Sequence, residues 1–178
     1  MWSLLEPLER IDRFMDEGGP VLWIILLVSL ALWTLIIERY LYLYLGHRDH
    51  LERAVARWKA RSDRSSWYAM QVRRAMIADI VLRLHASLAL IRALIAICPL
   101  LGLLGTVIGM IHIFDIMVFF GAGNARAMAS GVSLATIPTM AGMVVSISGL
   151  FFSVNLQRQA NSEGQRAADL FLKSGEVS

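Results

Sequence analysis

The chain has 178 residues, of which 57% are hydrophobic and 17% charged, whereas charged residues make up about 25% of a typical soluble domain. This composition excludes a disordered tail, and the single cysteine, Cys98, excludes a scaffold held by disulfides within the chain. The net charge of +3 would fit a nucleic-acid-binding protein, but no basic segment is interleaved with aromatic residues. We therefore expect a membrane protein that binds no nucleic acid.

Uncharged residues are clustered in three runs, which cover residues 20–37, 93–114 and 127–157. About 20 helical residues cross the roughly 30 Å hydrocarbon core of a bilayer, because each residue adds about 1.5 Å. Each run therefore predicts one transmembrane helix. The first run follows a segment with five acids and two arginines, unlike the short basic start of a signal peptide, so we expect it to remain as an anchor.

The distribution of charge predicts the orientation of the chain. Residues 38–92 contain eleven arginines and lysines against five acids, whereas residues 1–19 contain two against five. Because cytoplasmic loops carry the excess of Lys and Arg, we expect the N-terminus in the periplasm and the C-terminus in the cytoplasm. The third run would be about 46 Å long as a helix, longer than the bilayer is thick, so we expect long helices that project into the cytoplasm.

These features predict an all-α membrane protein with three transmembrane helices. The first residues have an amphipathic pattern typical of a helix on the outer membrane surface, which Gly18, Gly19 and Pro20 interrupt. The cytoplasmic segment predicts two amphipathic helices separated near residues 62–66. In chain order, the segments are the interfacial helix 1–19, the first span 20–45, the cytoplasmic helical segment 46–92, the second span 93–120, the periplasmic turn 121–126, the third span 127–157 and the cytoplasmic tail 158–178.

Both later spans have a face of small and hydroxyl-bearing residues. Small residues allow helix backbones to approach closely, and the sequence predicts these helix-packing positions: Gly102, Gly105, Gly109, Ala135, Gly142 and Gly149. The neighbouring hydroxyls would bond only to helix backbone in a simple packing role, or they would line an interior shared between subunits. In the second interpretation the pore-lining residues are Thr106, Thr139, Ser146 and Ser153.

Acidic residues are missing from the interior of the later spans. Proton-conducting proteins place Asp, Glu or His within the bilayer, but here the carboxylates of Glu38 and Asp115 lie at span ends. The central titratable residues are Cys98 and His112, and we interpret His112 as a structural residue that bonds a neighbouring helix. If the protein handles protons, the carboxylate that carries them must come from a partner.

Three segments of the second half carry a family resemblance. They read CPLLGLLGTVIGMIHIF at 98–114, FFGAGNARAMASGVSLA at 119–135 and TMAGMVVSISGLFF at 139–152. Together they resemble the MotA/TolQ/ExbB proton channel family, and most of all a short ExbB subunit. Pro138 departs from the family pattern and is expected to kink the third span, because it leaves the Leu134 carbonyl without its helical donor.

The resemblance implies a subunit of a proton-driven motor in the bacterial inner membrane. It implies a homo-oligomer, usually a pentamer, around the single spans of ExbD-like partners, whose aspartate carries the proton past Thr106 and Thr139. It further implies that a TonB-like protein receives the work and drives outer-membrane import of iron complexes, haem or vitamin B12. A TolQ-type or MotA-type stator of the same family and a non-conducting membrane scaffold remain alternatives.

The sequence predicts no enzymatic activity, cofactor or metal site. No catalytic set can be placed around one cavity, and no cysteine or third histidine accompanies the histidines of the His47–His50 run. The basic cytoplasmic segment has one further candidate role, contact with anionic lipid headgroups. The residues proposed for it are Arg53, Arg57, Arg73 and Arg74.

Overall fold

The computed structural model describes residues 6–61, 66–120 and 125–173, and the regular elements among these residues are all helical. The five α-helices are α1 Glu6–Leu41, α2 His47–Lys59, α3 Trp67–His85, α4 Leu88–Phe120 and α5 Ala125–Lys173, with a π-helix at Tyr42–Gly46 between α1 and α2. Three helical stretches, in α1, in the α3–α4 run and in α5, are long and apolar enough to cross a membrane. The predicted fold class, an all-α membrane protein with three spans, is confirmed.

The backbone of α1 leaves the helical conformation at Gly19, where φ is 67° and ψ is −166°. This left-handed φ suits a residue without a Cβ, and Pro20 follows directly, which cannot donate a helical hydrogen bond. The sequence predicts a break at this place. The side chains of residues 6–13 and the whole of residues 1–5 lie outside the described residues. Residues 121–124 of the predicted turn at 121–126 also lie outside them, whereas residues 125 and 126 belong to α5. Of the predicted separation near 62–66, residues 62–65 lie outside the described residues.

The chain divides into two compact units. The first consists of residues 1–33 and 92–150, in which α1 packs against α4 and α5. Its apolar core includes Val21, Ile25 and Leu32 of α1 and Ile95 of α4, all buried. This unit contains the small-residue faces that the sequence predicts.

The second unit consists of residues 34–91 and 151–178. Trp58 of α2 and Phe171 of α5 are fully buried in it, with ring centroids 6.4 Å apart. The guanidinium group of Arg39 is buried as well, donates to the Arg83 carbonyl and lies 5.0 Å from the centroid of the Tyr42 ring. The C-terminal end of α1 is therefore hydrogen-bonded to the C-terminal end of α3.

A break between α3 and α4 was not predicted, because neither proline nor glycine occurs there. α3 ends at His85, Ser87 adopts a φ of 65°, and α4 begins at Leu88. The carbonyl of Ser87 accepts from the Ile91 N–H at 2.9 Å, which is the first bond of α4. Serine is a preferred residue at helix N-termini, so the local signal for this helix start is Ser87 itself.

The helix that contains the third span, α5, continues well beyond the end of the uncharged run 127–157. α5 extends to Lys173 as one helix, so residues 158–173, predicted as a tail, are helical. Small and apolar residues recur there every three or four positions and are buried, which is the pattern of one helix face: Leu156, Ala160, Gly164, Ala167 and Phe171. α5 also runs through Pro138 without interruption; the expected kink stays a prediction.

Candidate functional site

α4 and α5 meet along a seam in which the two backbones are in direct contact. A Cβ placed on Gly102 would lie 2.9 Å from the Thr139 Cα, and one placed on Gly109 would lie 2.5 Å from the Ala135 Cβ. A Cβ on Gly142 would lie 2.5 Å from the Cys98 carbonyl oxygen. The seam therefore has no space for a methyl group at any of these three glycines.

One edge of this seam is covered by α1. A Cβ on Gly105 would lie 2.6 Å from the buried ring of Pro138 and 3.6 Å from Val21 of α1. A Cβ on Gly149 would lie 2.9 Å from Leu32, further along α1. The structure thus places all six predicted packing positions in the contacts among the three spans of a single chain.

The hydroxyls of Thr106 and Thr139 bond to adjacent carbonyls in one turn of α4. The Thr139 hydroxyl donates to the carbonyl of Gly102 at 3.0 Å, and this carbonyl is also the helical acceptor for the N–H of Thr106, four residues later. The Thr106 hydroxyl donates to the carbonyl of Leu103 at 2.6 Å. Both threonine side chains are half-buried in the single chain.

The two threonines occupy the edge of the seam that α1 leaves uncovered. Thr106 follows Gly105 and Thr139 follows Pro138, so each is turned by about 100° from the edge that α1 covers. Because α4 and α5 run in opposite directions, the same step turns both residues toward the same edge. Leu103 and Met143 are exposed beside them, which leaves this edge open to a neighbouring molecule.

The two predicted serines fall in different places. Ser146 follows Thr139 by seven residues on the same face of α5 and is half-buried. Ser153 belongs to the second unit and is only 3% exposed, so its hydroxyl is already covered within one chain. The open edge therefore includes Thr106, Thr139 and Ser146, and the structure separates Ser153 from them.

Sequence reasoning missed one hydroxyl of this edge. Thr136 lies one turn before Thr139 on α5, is exposed, and donates to the Val132 carbonyl at 3.0 Å. Its spacing of three residues from Thr139 is a helical neighbour spacing and would have revealed it. The predicted hydroxyl-bearing residues of α5, Thr139, Ser146 and Ser153, form a stripe at intervals of seven residues, and this interval passes over Thr136.

His112 is exposed and lies apart from the threonines, on the side of the seam nearer to α1. It lines a cavity of about 330 Å³ together with Asp16 and Glu17 of α1 and with Ser130 and Ser133 of α5. In the part of the chain that the structure describes, no three His, Cys, Asp or Glu side chains are grouped as metal ligands. The side chains of His47 and His50 lie outside that part.

The four arginines predicted to contact lipid are divided between two places. Arg53 and Arg57 line a groove between α2 and α3, together with Arg83 and Asp79. Arg73 and Arg74 also lie on α3, but they do not line this groove. Arg83, which no sequence pattern singled out, is the third arginine of the groove.

The fold and the seam define a multi-pass helical membrane protein with a polar, acid-free edge between its last two spans. Residues 46–168 match the MotA/TolQ/ExbB proton channel family, and the chain belongs to this family. It is 42% identical over 83 residues to the putative biopolymer transport protein ExbB-like 1 of Synechocystis sp., a match that covers 43% of this chain and 33% of the relative.

A second relative from the same organism, the putative biopolymer transport protein ExbB-like 3, is 39% identical over 66 residues, which cover 36% of this chain and 31% of the relative. The chain thus spans about a third of the length of the curated relatives that it matches. No solved structure matches it.

Proposed function

We propose that the chain is an ExbB-like subunit of a proton-driven motor in the bacterial inner membrane. In this proposal several copies, five by the family resemblance, surround the single span of an ExbD-like partner, with the N-terminus periplasmic and the C-terminus cytoplasmic. A TonB-like protein receives the work and drives outer-membrane import of iron complexes, haem or vitamin B12. Family membership and the transport names of the relatives support this proposal.

The observation that carries the proposal is the pairing of Thr106 and Thr139 on the open edge of the seam. The two hydroxyls, which bond to the adjacent carbonyls of Leu103 and Gly102, form a small polar surface beside the exposed apolar side chains of Leu103 and Met143. The runs 93–114 and 127–157 contain no Asp, Glu, Lys or Arg. Such a surface is suited to receive one protonatable side chain from another protein.

The directions of the hydroxyl bonds indicate which form of an incoming carboxyl group is favoured. Both threonines donate to backbone carbonyls, so each presents the lone pairs of its oxygen as acceptors. A neutral carboxylic acid donates its O–H to such an oxygen, whereas a carboxylate has no proton to donate. The edge therefore favours the partner's acid in its protonated form.

The strength of this preference is compatible with proton transport. For a threonine to donate to a carboxylate, it must give up its backbone bond, which costs about 0.5–1.5 kcal/mol. One charge moving through 100 mV releases about 2.3 kcal/mol. The threonines thus bias the acid toward its neutral form without trapping the proton against the driving force.

The same bonds favour one competing interpretation, a scaffold that conducts nothing. If the hydroxyls only strengthen the packing of α4 on α5, their bonds to Leu103 and Gly102 are their whole function. The scaffold needs no single-span partner and has no cavity between copies. The motor requires both.

The deciding experiment is reconstitution of the full chain into liposomes with and without a single-span ExbD-like partner. Proton uptake under an imposed potential is followed with an internal pH dye. The proposal predicts proton uptake only when both proteins are present. When a protonophore is added, proton uptake should occur whether or not the proteins are present. An assembled complex that passes no protons would favour the scaffold, and failure to bind the partner would refute the proposed function.

A further inference from the structure

Four hydroxyl-bearing residues follow one another along the N-terminal part of α5 at intervals of three. This hydroxyl series consists of Ser130, Ser133, Thr136 and Thr139. Each step between its members moves about 4.5 Å along the helix and turns about 60° around it. The series therefore winds half-way around α5 over about 13.5 Å, and it leaves the open edge at Thr139.

The N-terminal end of the hydroxyl series lies at a cavity. Ser130 and Ser133 line the cavity of about 330 Å³ that also contains Asp16, Glu17 and His112. A cavity of this size has room for several water molecules, and ordered water needs two to four polar partners. Polar side chains from three helices of the first unit supply them here.

The other end of the hydroxyl series belongs to the open edge. Thr136 is exposed, and its hydroxyl donates to the Val132 carbonyl at 3.0 Å. Its oxygen therefore keeps lone pairs that can accept a hydrogen bond from water, as the oxygen of Thr139 does. Val132 and Met140 are exposed apolar side chains beside it, so Thr136 adds a polar group to an otherwise apolar surface.

The spacing of the hydroxyl series suits bridging water molecules. Side chains three residues apart on a helix have Cβ atoms about 5–6 Å apart. This distance is about twice the 2.7–2.8 Å length of an O–H···O hydrogen bond. A single water between two neighbouring hydroxyls can therefore bond to both of them, and such bridges are nearly as favourable as direct bonds.

We propose that Ser133 and Thr136, alternating with bound waters, relay protons from the cavity to the open edge at Thr139. This inference rests on the proposed function and identifies the route by which the partner's carboxyl group receives its proton. As a hydroxyl oxygen accepts the incoming proton, it passes its own proton to the next water, so one O–H bond forms and one breaks at each oxygen. The route depends on the spacing of these oxygens and not on the net charge of the cavity.

The competing interpretation is that these hydroxyls bond only to the backbone of α5. The bond from Thr136 to the Val132 carbonyl fits this interpretation. It does not account for a hydroxyl on an exposed apolar face, or for a regular series that joins a cavity to the open edge. The two interpretations differ in whether water reaches Thr136.

Proton uptake by the reconstituted complex of the full chain and its single-span partner tests the relay. Thr136→Val combined with Ser133→Ala removes both oxygens, so uptake should fall several-fold while the complex keeps its mass. Thr136→Ser keeps the oxygen and should retain most of the uptake. Ser148→Ala is the matched control, because the Ser148 hydroxyl also donates to a backbone carbonyl of α5, that of Val145 at 2.9 Å, but lies outside the series; it should have no effect.

The reactivity of introduced thiols tests the presence of water independently. Spheroplasts that express the complex, with Cys98→Ala as background, are treated with a membrane-impermeant cationic methanethiosulfonate reagent. Ser130→Cys at the cavity and Thr136→Cys further along the series should both react. Met140→Cys is the control, because Met140 is exposed one turn from Thr136 but does not belong to the series, and it should react several-fold more slowly.

The outcomes separate the relay from the proposed function. Wild-type uptake by the variant with Thr136→Val and Ser133→Ala overturns the relay and leaves the motor proposal standing. A Thr136→Cys thiol that reacts no faster than the Met140→Cys thiol also overturns the relay, and this comparison decides if the double variant does not assemble. A wild-type complex that passes no protons overturns both the relay and the proposed function.

Discussion

The Thr139 hydroxyl donates to the carbonyl of Gly102 at 3.0 Å and so joins the last two spans at the turn that carries Thr106. Thr139 thus belongs both to the seam, through its donated bond, and to the open edge, through the lone pairs that remain. A residue with two such roles can be tested only with substitutions that separate volume from hydrogen bonding.

The Thr139 hydroxyl is expected to be essential for proton uptake. Thr139→Val keeps the shape of the side chain but removes the acceptor oxygen, so uptake in the reconstituted complex should fall to the background level. Thr139→Ser keeps the oxygen and should retain most of the uptake. Thr34→Val changes an exposed threonine of α1 and should have no effect; equal activity of the valine and serine variants at Thr139 would contradict the assigned role.

Gly109 and Gly164 should respond oppositely to alanine. At Gly109 the new Cβ would lie 2.5 Å from the Ala135 Cβ, and overpacking of this kind costs about 1–3 kcal/mol. At Gly164 the nearest heavy atom is 3.5 Å away, so alanine fits and should gain up to about 1 kcal/mol from helix propensity. Thermal unfolding of both variants in detergent measures the difference; a Gly109→Ala variant as stable as the wild type would refute the close contact.

Phe171 is expected to stabilise the second unit, although the sequence places it in a tail. It is fully buried beside Trp58, and truncation of a buried phenylalanine costs about 3–5 kcal/mol. Phe171→Ala should therefore lower the free energy of unfolding by about that amount, as followed by the fluorescence of the tryptophans. Leu172→Ala, at the exposed neighbouring residue, is the control; similar losses in both variants would indicate a general effect on the helix end.

The stability of the protein should be sensitive to loss of the Arg39 guanidinium group. This buried group donates to the Arg83 carbonyl and stacks on Tyr42, and a hydrogen bond from a charged group contributes about 1.5–3 kcal/mol. Arg39→Met keeps much of the apolar stem but removes both interactions, so the unfolding free energy should fall by an amount in this range. Arg74→Met, at an exposed arginine, should change it little, and equal effects of the two would argue against a specific role.

The sequence predicts the membrane fold and the break at Gly19 because both depend on local chemistry. Long uncharged runs have one stable solution in a bilayer, and a glycine pair followed by proline interrupts a helix wherever it occurs. The extension of α5 has a signal too, in the small residues Ala160, Gly164 and Ala167, but these residues are surrounded by charges. Hydropathy therefore assigns them to a tail, although packing in the second unit keeps them helical.

The open edge of the site could not be predicted in the same way. Helical periodicity places Gly105 and Thr106 on neighbouring parts of one face, but only the position of α1 decides which of them is covered. Ser153 illustrates the same limit, because it continues the stripe of Thr139 and Ser146 and yet is buried in the other unit. A periodic pattern identifies a face, whereas the neighbours of that face are set by tertiary packing.

The seam also contains the single thiol of the sequence. Cys98 is fully buried, and its carbonyl lies against Gly142, so an alkylating reagent reaches the sulfur only while the helices are locally apart. The rate of alkylation under native conditions therefore reports how often the spans separate. The unaltered chain thus contains its own reporter of helix opening, which needs no introduced label.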